Sequence, residues 1–265
     1  MLHTAAPEIA VIGGSGFYSF LDDAEQVTVE TPYGPPSGDI AIGHVERTPV
    51  AFLPRHGAGH ALPPHRINYR ANMWALRSLG VRQVLAPCAV GGLRPEVSPG
   101  DIVLPDQLVD RTAHRLQTYV ESGAAHAPFA DPYCPRLTEA VGRADTSIKI
   151  GATMVVVEGP RFSTRAESQH YAAQGWSLIN MTGHPEAVLA REMLMCYLPL
   201  ALVTDMDAGV GAGEGVDQAS VFAMFAANIE RIKAILGRAV TDLPPIDGCQ
   251  CRAWADGLDL PYELP

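Results

Sequence analysis

The stretch HRINYRANMWALRSLGVRQVLAPCAVGG, residues 65–92, sets the fold class. Its first half carries Ile67, Ala71, Trp74 and Ala75 at helical spacing, and Gly80 is a natural stop, so the pattern predicts a helix over 65–79. Its second half, 83–90, is apolar on both faces, as a strand buried beneath helices must be. It ends in Cys88-Ala89-Val90-Gly91-Gly92, small residues that let a ligand approach the backbone.

The same alternation extends outward. Apolar runs predict strands at about 8–13, 26–30, 39–44, 49–54, 101–104, 149–157, 177–181 and 199–205. Thr164-Arg165-Ala166-Glu167 has the form of a capping box, opening a helix that ends near Gly175. Pro185 suits the first turn of a helix running to about Met195. Val221, Phe222, Phe225, Ile229, Ile232 and Ile235 form an apolar stripe, predicting an amphipathic helix over 217–240. Strand–helix alternation means α/β, and no shift in composition divides the 265 residues, so one domain is expected. The tail, 245–265, has little periodicity; it reads either as disordered or as packing on a neighbouring subunit.

The net charge is −10, and no Lys/Arg cluster offers a nucleic-acid surface. An anionic small molecule stays open, because a few local donors outweigh a global field. No apolar run approaches the ~20 residues of a membrane helix. Met1 to Glu8 lacks the basic and apolar regions of a signal peptide, so the expected location is the cytoplasm. The cysteines are Cys88, Cys134, Cys196, Cys249 and Cys251; their odd count and wide spacing argue against a secreted disulfide framework. Cys249-Gln250-Cys251 reads as an exposed reduced pair, with a redox staple as the other reading; the rest of the tail holds no further Cys or His to complete a metal site.

Chemistry-bearing residues fall at predicted strand ends. Gly13-Gly14-Ser15-Gly16 follows the first strand and suits an anion or simply a tight turn; it is neither the dinucleotide nor the P-loop pattern. Arg55 and His56 end another strand, where a guanidinium grips phosphate oxygens with two donors and an imidazole adds a third. His56, His60 and His65 lie in a Gly/Pro-rich loop with no carboxylate to complete a metal site. Phe162 can cover a flat ring or pack in the core. Thr182 precedes a helix, where a hydroxyl serves an anion or a cap. Asp205 and Asp207, at i and i+2, point the same way if the strand continues, to hold a metal or read a base. In an α/β sheet these ends collect on one edge.

The segments IGGSGFY (12–18), TPYGPPS (31–37), PRHGAGH (54–60), NYRANMWAL (68–76), PGDIVLPDQLVDRT (99–112), EGPRFSTRAE (158–167), NMTGHPEAVLARE (180–192) and TDMDAG (204–209) resemble the methylthioadenosine phosphorylase branch of the trimeric purine nucleoside phosphorylases, in family order over roughly 10–210. The resemblance implies a twisted mixed sheet flanked by helices. It implies phosphate held by Ser15, Arg55, His56, Ala89 and Thr182, with Cys88 where animal members have Thr. It implies ribose near Met181, the purine near Phe162, Ser163, Asp205, Met206 and Asp207, and a 5′ pocket tuned at Gln218. His126 matches a position that reaches into a neighbour's site in a homotrimer. No cofactor or metal is implied; inorganic phosphate is a co-substrate.

The implied reaction converts methylthioadenosine and phosphate to adenine and 5-methylthioribose 1-phosphate. Asp205 is assigned as the acid that protonates N7 of the leaving base, with Asp207 as its helper. Two acids favour a 6-aminopurine, since a 6-oxo base sets acceptor against acceptor at a cost of ~1–3 kcal/mol. Val216, Phe222 and Leu258–Leu260 are candidates to line the 5′ pocket. The rivals are a phosphorylase for 6-oxopurine nucleosides, a nucleoside-binding protein without catalysis, and a nicotinamide oxidoreductase, which fails for want of a dinucleotide loop.

Overall fold

The computed structural model describes residues 6–14, 16–17, 20–210 and 215–265. Eleven strands are β1 Ile9–Gly13, β2 Glu25–Val27, β3 Ile40–Val45, β4 Thr48–Pro54, β5 Gln83–Gly92, β6 Ile102–Leu104, β7 Gln107–Arg111, β8 Lys149–Ile150, β9 Thr153–Val157, β10 Leu178–Asn180 and β11 Cys196–Met206. The helices are α1 Tyr69–Ser78, α2 Pro135–Ala144, α3 Arg165–Ala173, α4 Gly183–Glu192, α5 Gln218–Thr241 and the single turn α6 Gln250–Ala253. The result is a single-domain α/β fold around one mixed sheet, with the path β2-β3-β4-β1-β5-β10-β9-β7.

The sheet divides at β5. Gln83–Leu85 pair in parallel with β1, whereas Gly91 and Gly92 pair antiparallel with β10; β11 runs beside β5 in parallel along its whole length. Strands β6 and β8 continue from β11. The opening between β1 and β10 therefore lies at the carboxyl end of β5, where its small residues are. Nine consecutive residues of β11, Cys196–Thr204, are buried, which explains their near-continuous apolar sequence.

Helix α1 begins later than its apolar spacing predicts, because the Asn68 side chain accepts the Ala71 N–H and caps it there. Gly80, at φ 102°, ends the turn that follows. The capping box at Thr164 and Glu167 is present in both directions. Along α5, Val221, Phe225, Ile232, Ile235 and Leu236 are buried against the sheet. The predicted strand 149–157 is two strands, broken at Gly151 (φ 89°), because β8 pairs with β6 and β9 with β7 and β10. Strand β7 and helix α2 had no counterpart in the periodicity. The former is a largely exposed edge strand; the latter buries only Leu137, Ala140 and Val141.

The tail is ordered on its own chain. Trp254 Nε1 donates to the Arg191 carbonyl at 3.2 Å and Tyr262 Oη to the Glu192 carbonyl at 2.8 Å. Cys249 and Cys251 are buried, correcting the expectation of an exposed pair. No helix among the described residues is long and apolar enough to cross a membrane.

Candidate active site

Five strand ends and the first turn of α5 enclose a cavity of about 310 Å³. That volume suits a small ligand. At one end lie Gly14 after β1, Arg55 and His56 after β4, Cys88 and Ala89 of β5, and Thr182 after β10. At the other lie Asp205 of β11 and Asp207 just beyond it. Phe162, Ser163, Met181, Val221 and Phe222 also line it, as does the exposed Gln218.

Arg55 is 1% exposed and its fork is already engaged. Nε donates to Glu186 Oε1 at 2.5 Å, Nη2 to Glu186 Oε2 at 3.0 Å, and Nη1 to the Pro87 carbonyl at 3.1 Å. The expected two-donor grip on phosphate is therefore a grip on Glu186. Of the five guanidinium N–H groups, two remain for a ligand. Burial opposes the Arg55 charge, but the adjacent Glu186 carboxylate more than offsets it and raises the pKa. Tyr197 Oη donates to Glu186 Oε2 at 2.8 Å, holding that carboxylate from the other side. The sequence reading missed Glu186; its one signal is a Glu in the first turn of a helix on the phosphate edge.

Gly14 is a packing requirement. A Cβ there would lie 2.8 Å from Arg55 Nη1 and 2.8 Å from the Pro87 carbonyl oxygen.

Burial and the Arg55 charge push the His56 pKa down to about 3, so the ring is neutral near pH 7. Its Nδ1 lies 2.8 Å from the Leu62 carbonyl. A carbonyl only accepts, so Nδ1 carries the proton and Nε2 is left as an acceptor. In this state His56 offers an acceptor at Nε2 rather than a third donor. The His56 ring stacks on His60 at 4.1 Å, and His60 meets Phe222 edge-on. His65 lines a different cavity.

Asn180, which the sequence reading passed over, organises the phosphate edge. Its Nδ2 donates to the Ala89 carbonyl at 2.9 Å, while its Oδ1 accepts from the Thr182 and Gly183 N–H groups at 2.7 and 2.6 Å. The Thr182 hydroxyl caps nothing. Its one hydrogen-bond contact among the described residues is a long 3.4 Å approach to Asn180 Oδ1, so it stands available to an anion. Burial pushes the Cys88 thiol up to about 12, so it lines this edge as a neutral group.

At the opposite end, Asp205 Oδ2 accepts from Thr204 Oγ1 at 2.8 Å, while Asp205 Oδ1 is buried with no partner among the described residues. Burial raises the Asp205 pKa to about 6, with the Asp207 charge adding to it and the Thr204 hydroxyl opposing it. Asp207 Oδ2 accepts from Ser168 Oγ at 2.6 Å, and its N–H donates to the Gly92 carbonyl. The two acids thus differ: Asp207 is fixed by α3, and Asp205 presents an unsatisfied oxygen. Met206 does not line the cavity. Its sulfur packs over Gly92, because alternate residues of a strand face opposite ways.

Three further expectations fall outside the cavity. His126 is exposed and is not among its own chain's cavity-lining residues, Leu258 is 56% exposed, and Val216 does not line the pocket, leaving Gln218 and Phe222 of the proposed 5′ residues. Ser15 lies outside the described residues.

Known proteins share this architecture. A purine nucleoside phosphorylase from Streptomyces coelicolor is 55% identical, with all of both chains covered. An S-methyl-5′-thioadenosine phosphorylase from Mycolicibacterium smegmatis is 55% identical over 97% of this chain and 99% of its own. The structure of a methylthioadenosine phosphorylase from Schistosoma mansoni in complex with adenine superposes with a TM-score of 0.89 at 33% identity, covering 94% of this chain and 96% of that one. Residues 8–241, which carry every strand and all but the last turn of helix, match the family model described as the Phosphorylase superfamily, and the chain belongs to that family.

Proposed function

We propose that the chain is a pentosyltransferase that cleaves 5′-methylthioadenosine with phosphate. The C1′–N9 bond breaks, a phosphate oxygen bonds to C1′, and the base leaves with a proton on N7. The products are adenine and 5-methylthioribose 1-phosphate. Positive charge develops on the sugar as the bond stretches, and the phosphate beside it serves as both nucleophile and counter-charge. Arg55, the Thr182 hydroxyl and the backbone at Gly14 and Ala89 orient that phosphate; resemblance adds Ser15, which lies outside the described residues. Met181 flanks the ribose; Phe162 and Ser163 flank the base.

The observation that carries this reading is Asp205 Oδ1, buried without a partner among the described residues in the same cavity that Arg55 lines. A buried carboxyl with a raised pKa can hold a proton and deliver it to a purine nitrogen. Asp207, already held by Ser168, accepts from the 6-amino group. The apolar wall of Val221 and Phe222 suits a methylthio group rather than a hydroxyl.

The Streptomyces relative's name favours a second reading, a purine nucleoside phosphorylase for adenosine or 6-oxopurine nucleosides. Methylthioadenosine, adenosine, inosine and methylthioinosine assayed with and without phosphate decide between them. The highest kcat/KM on methylthioadenosine, strictly dependent on phosphate, is expected; a higher kcat/KM on inosine would refute the 6-amino assignment. We further assign no cofactor, a cytoplasmic location, and a homotrimer in which the exposed His126 reaches an adjacent site. Resemblance supports the trimer.

A further inference from the structure

Four of the five cysteines, far apart in sequence, meet at one point away from the catalytic cavity. Cys134 immediately precedes α2, Cys196 opens β11, and Cys249 and Cys251 flank the start of α6. All four are buried, and their Sγ atoms lie within 4.8 Å of one another. Cys196 and Cys249 are 3.4 Å apart, and Cys134 and Cys249 are 3.7 Å apart. A tetrahedral zinc tetrathiolate, with Zn–S bonds of about 2.3 Å, has sulfur–sulfur edges of about 3.8 Å. Two edges of the cluster thus already lie close to that length, and the rest are within 4.8 Å.

Its surroundings favour anionic sulfur. Arg136 Nη2 lies 3.8 Å from Cys196 Sγ, and the guanidinium is held there by the Gln83 side chain and the Pro244 and Pro245 carbonyls. Cys134 sits at the N-terminus of the ten-residue α2, the positive end of its dipole. A zinc tetrathiolate carries a net charge of about −2, which these groups offset; a pair of disulfides is neutral and gains nothing from them.

We propose that Cys134, Cys196, Cys249 and Cys251 bind one zinc ion in a closed structural site that fastens the C-terminal tail to the base of β11. Four S–Zn bonds form as four thiols release their protons to solvent, and no electron is transferred. All four coordination positions come from the protein, so the site has none open for chemistry.

The test uses the full chain, equilibrated with zinc and reductant, then freed of both by gel filtration and analysed for metal. About one zinc per chain is expected. After denaturation with a chelator and no reductant, all five cysteines should react with a thiol reagent. Reaction of Cys88 alone, without zinc, would mean two disulfides and overturn the site; so would five free thiols without zinc. Cys251→Ser should lose the zinc and Cys88→Ser keep it; equal zinc in both variants also overturns it. Should Cys251→Ser fail to fold, cobalt-loaded wild type decides. Thiolate-to-cobalt charge-transfer bands with the visible bands of tetrahedral cobalt are expected. Their absence rejects the proposal.

Discussion

Replacing Asp205 by Asn separates catalysis from stability in one variant. In the folded protein the Asp205 pKa is raised from 3.8 to about 6, mainly by burial. That displacement corresponds to about 3 kcal/mol in favour of the protonated form. A group whose pKa is raised on folding contributes stability that is present below its unfolded pKa and lost as pH rises through the folded one. Wild type should therefore lose about 2 kcal/mol at this group between pH 4 and pH 7, while Asn, which does not titrate, loses none. The amide oxygen still accepts from Thr204, and the amide nitrogen takes the partnerless position of Oδ1 at a cost of about 1 kcal/mol. The variant should end about 2 kcal/mol more stable than wild type at pH 7.5. Urea midpoints measured from pH 4 to 7.5 at fixed protein concentration read the swing. In parallel, kcat/KM for methylthioadenosine should fall by about 10²-fold or more, because Asn holds no transferable proton. A variant with wild-type kcat/KM, or a stability difference flat across this pH range, would refute the assignment of Asp205 as a buried acid.

Glu186→Gln removes the charge that compensates Arg55 where both side chains are 1% exposed; urea unfolding should show a loss of about 3–5 kcal/mol, and a loss below about 1 kcal/mol would contradict the buried pair. Cys88→Thr replaces a neutral thiol on the phosphate edge with a better donor; the phosphate KM should fall by up to about fivefold, equivalent to ~1 kcal/mol, whereas a rise would place the side chain outside the phosphate's reach.

Much of the catalytic edge was legible because strand ends of an α/β sheet converge whatever the details of packing. Arg55, His56, Thr182, Asp205 and Asp207 were identified from that rule and from resemblance, and all line one cavity. Their partners were not legible. The fork of Arg55 turns to Glu186, which lies 131 residues away in sequence. The tautomer of His56 depends on the Leu62 carbonyl, and the difference between the two acids depends on Ser168 from α3. Weakly periodic elements also escaped, such as β7 at the sheet edge and α2 with its narrow apolar face.

The sequence alone determined the elements whose hydrophobic period is strong, the order of strands and helices, and the residue types at the strand ends, because period and turn chemistry are local properties of the chain. Tertiary structure alone decided which donors are left over for substrate, which carboxyl is desolvated enough to raise its pKa, and that Cys134 and Cys196 join the Cys249–Cys251 pair. Hydrogen-bond partnership and desolvation depend on groups far apart along the chain, and only folding brings those groups together.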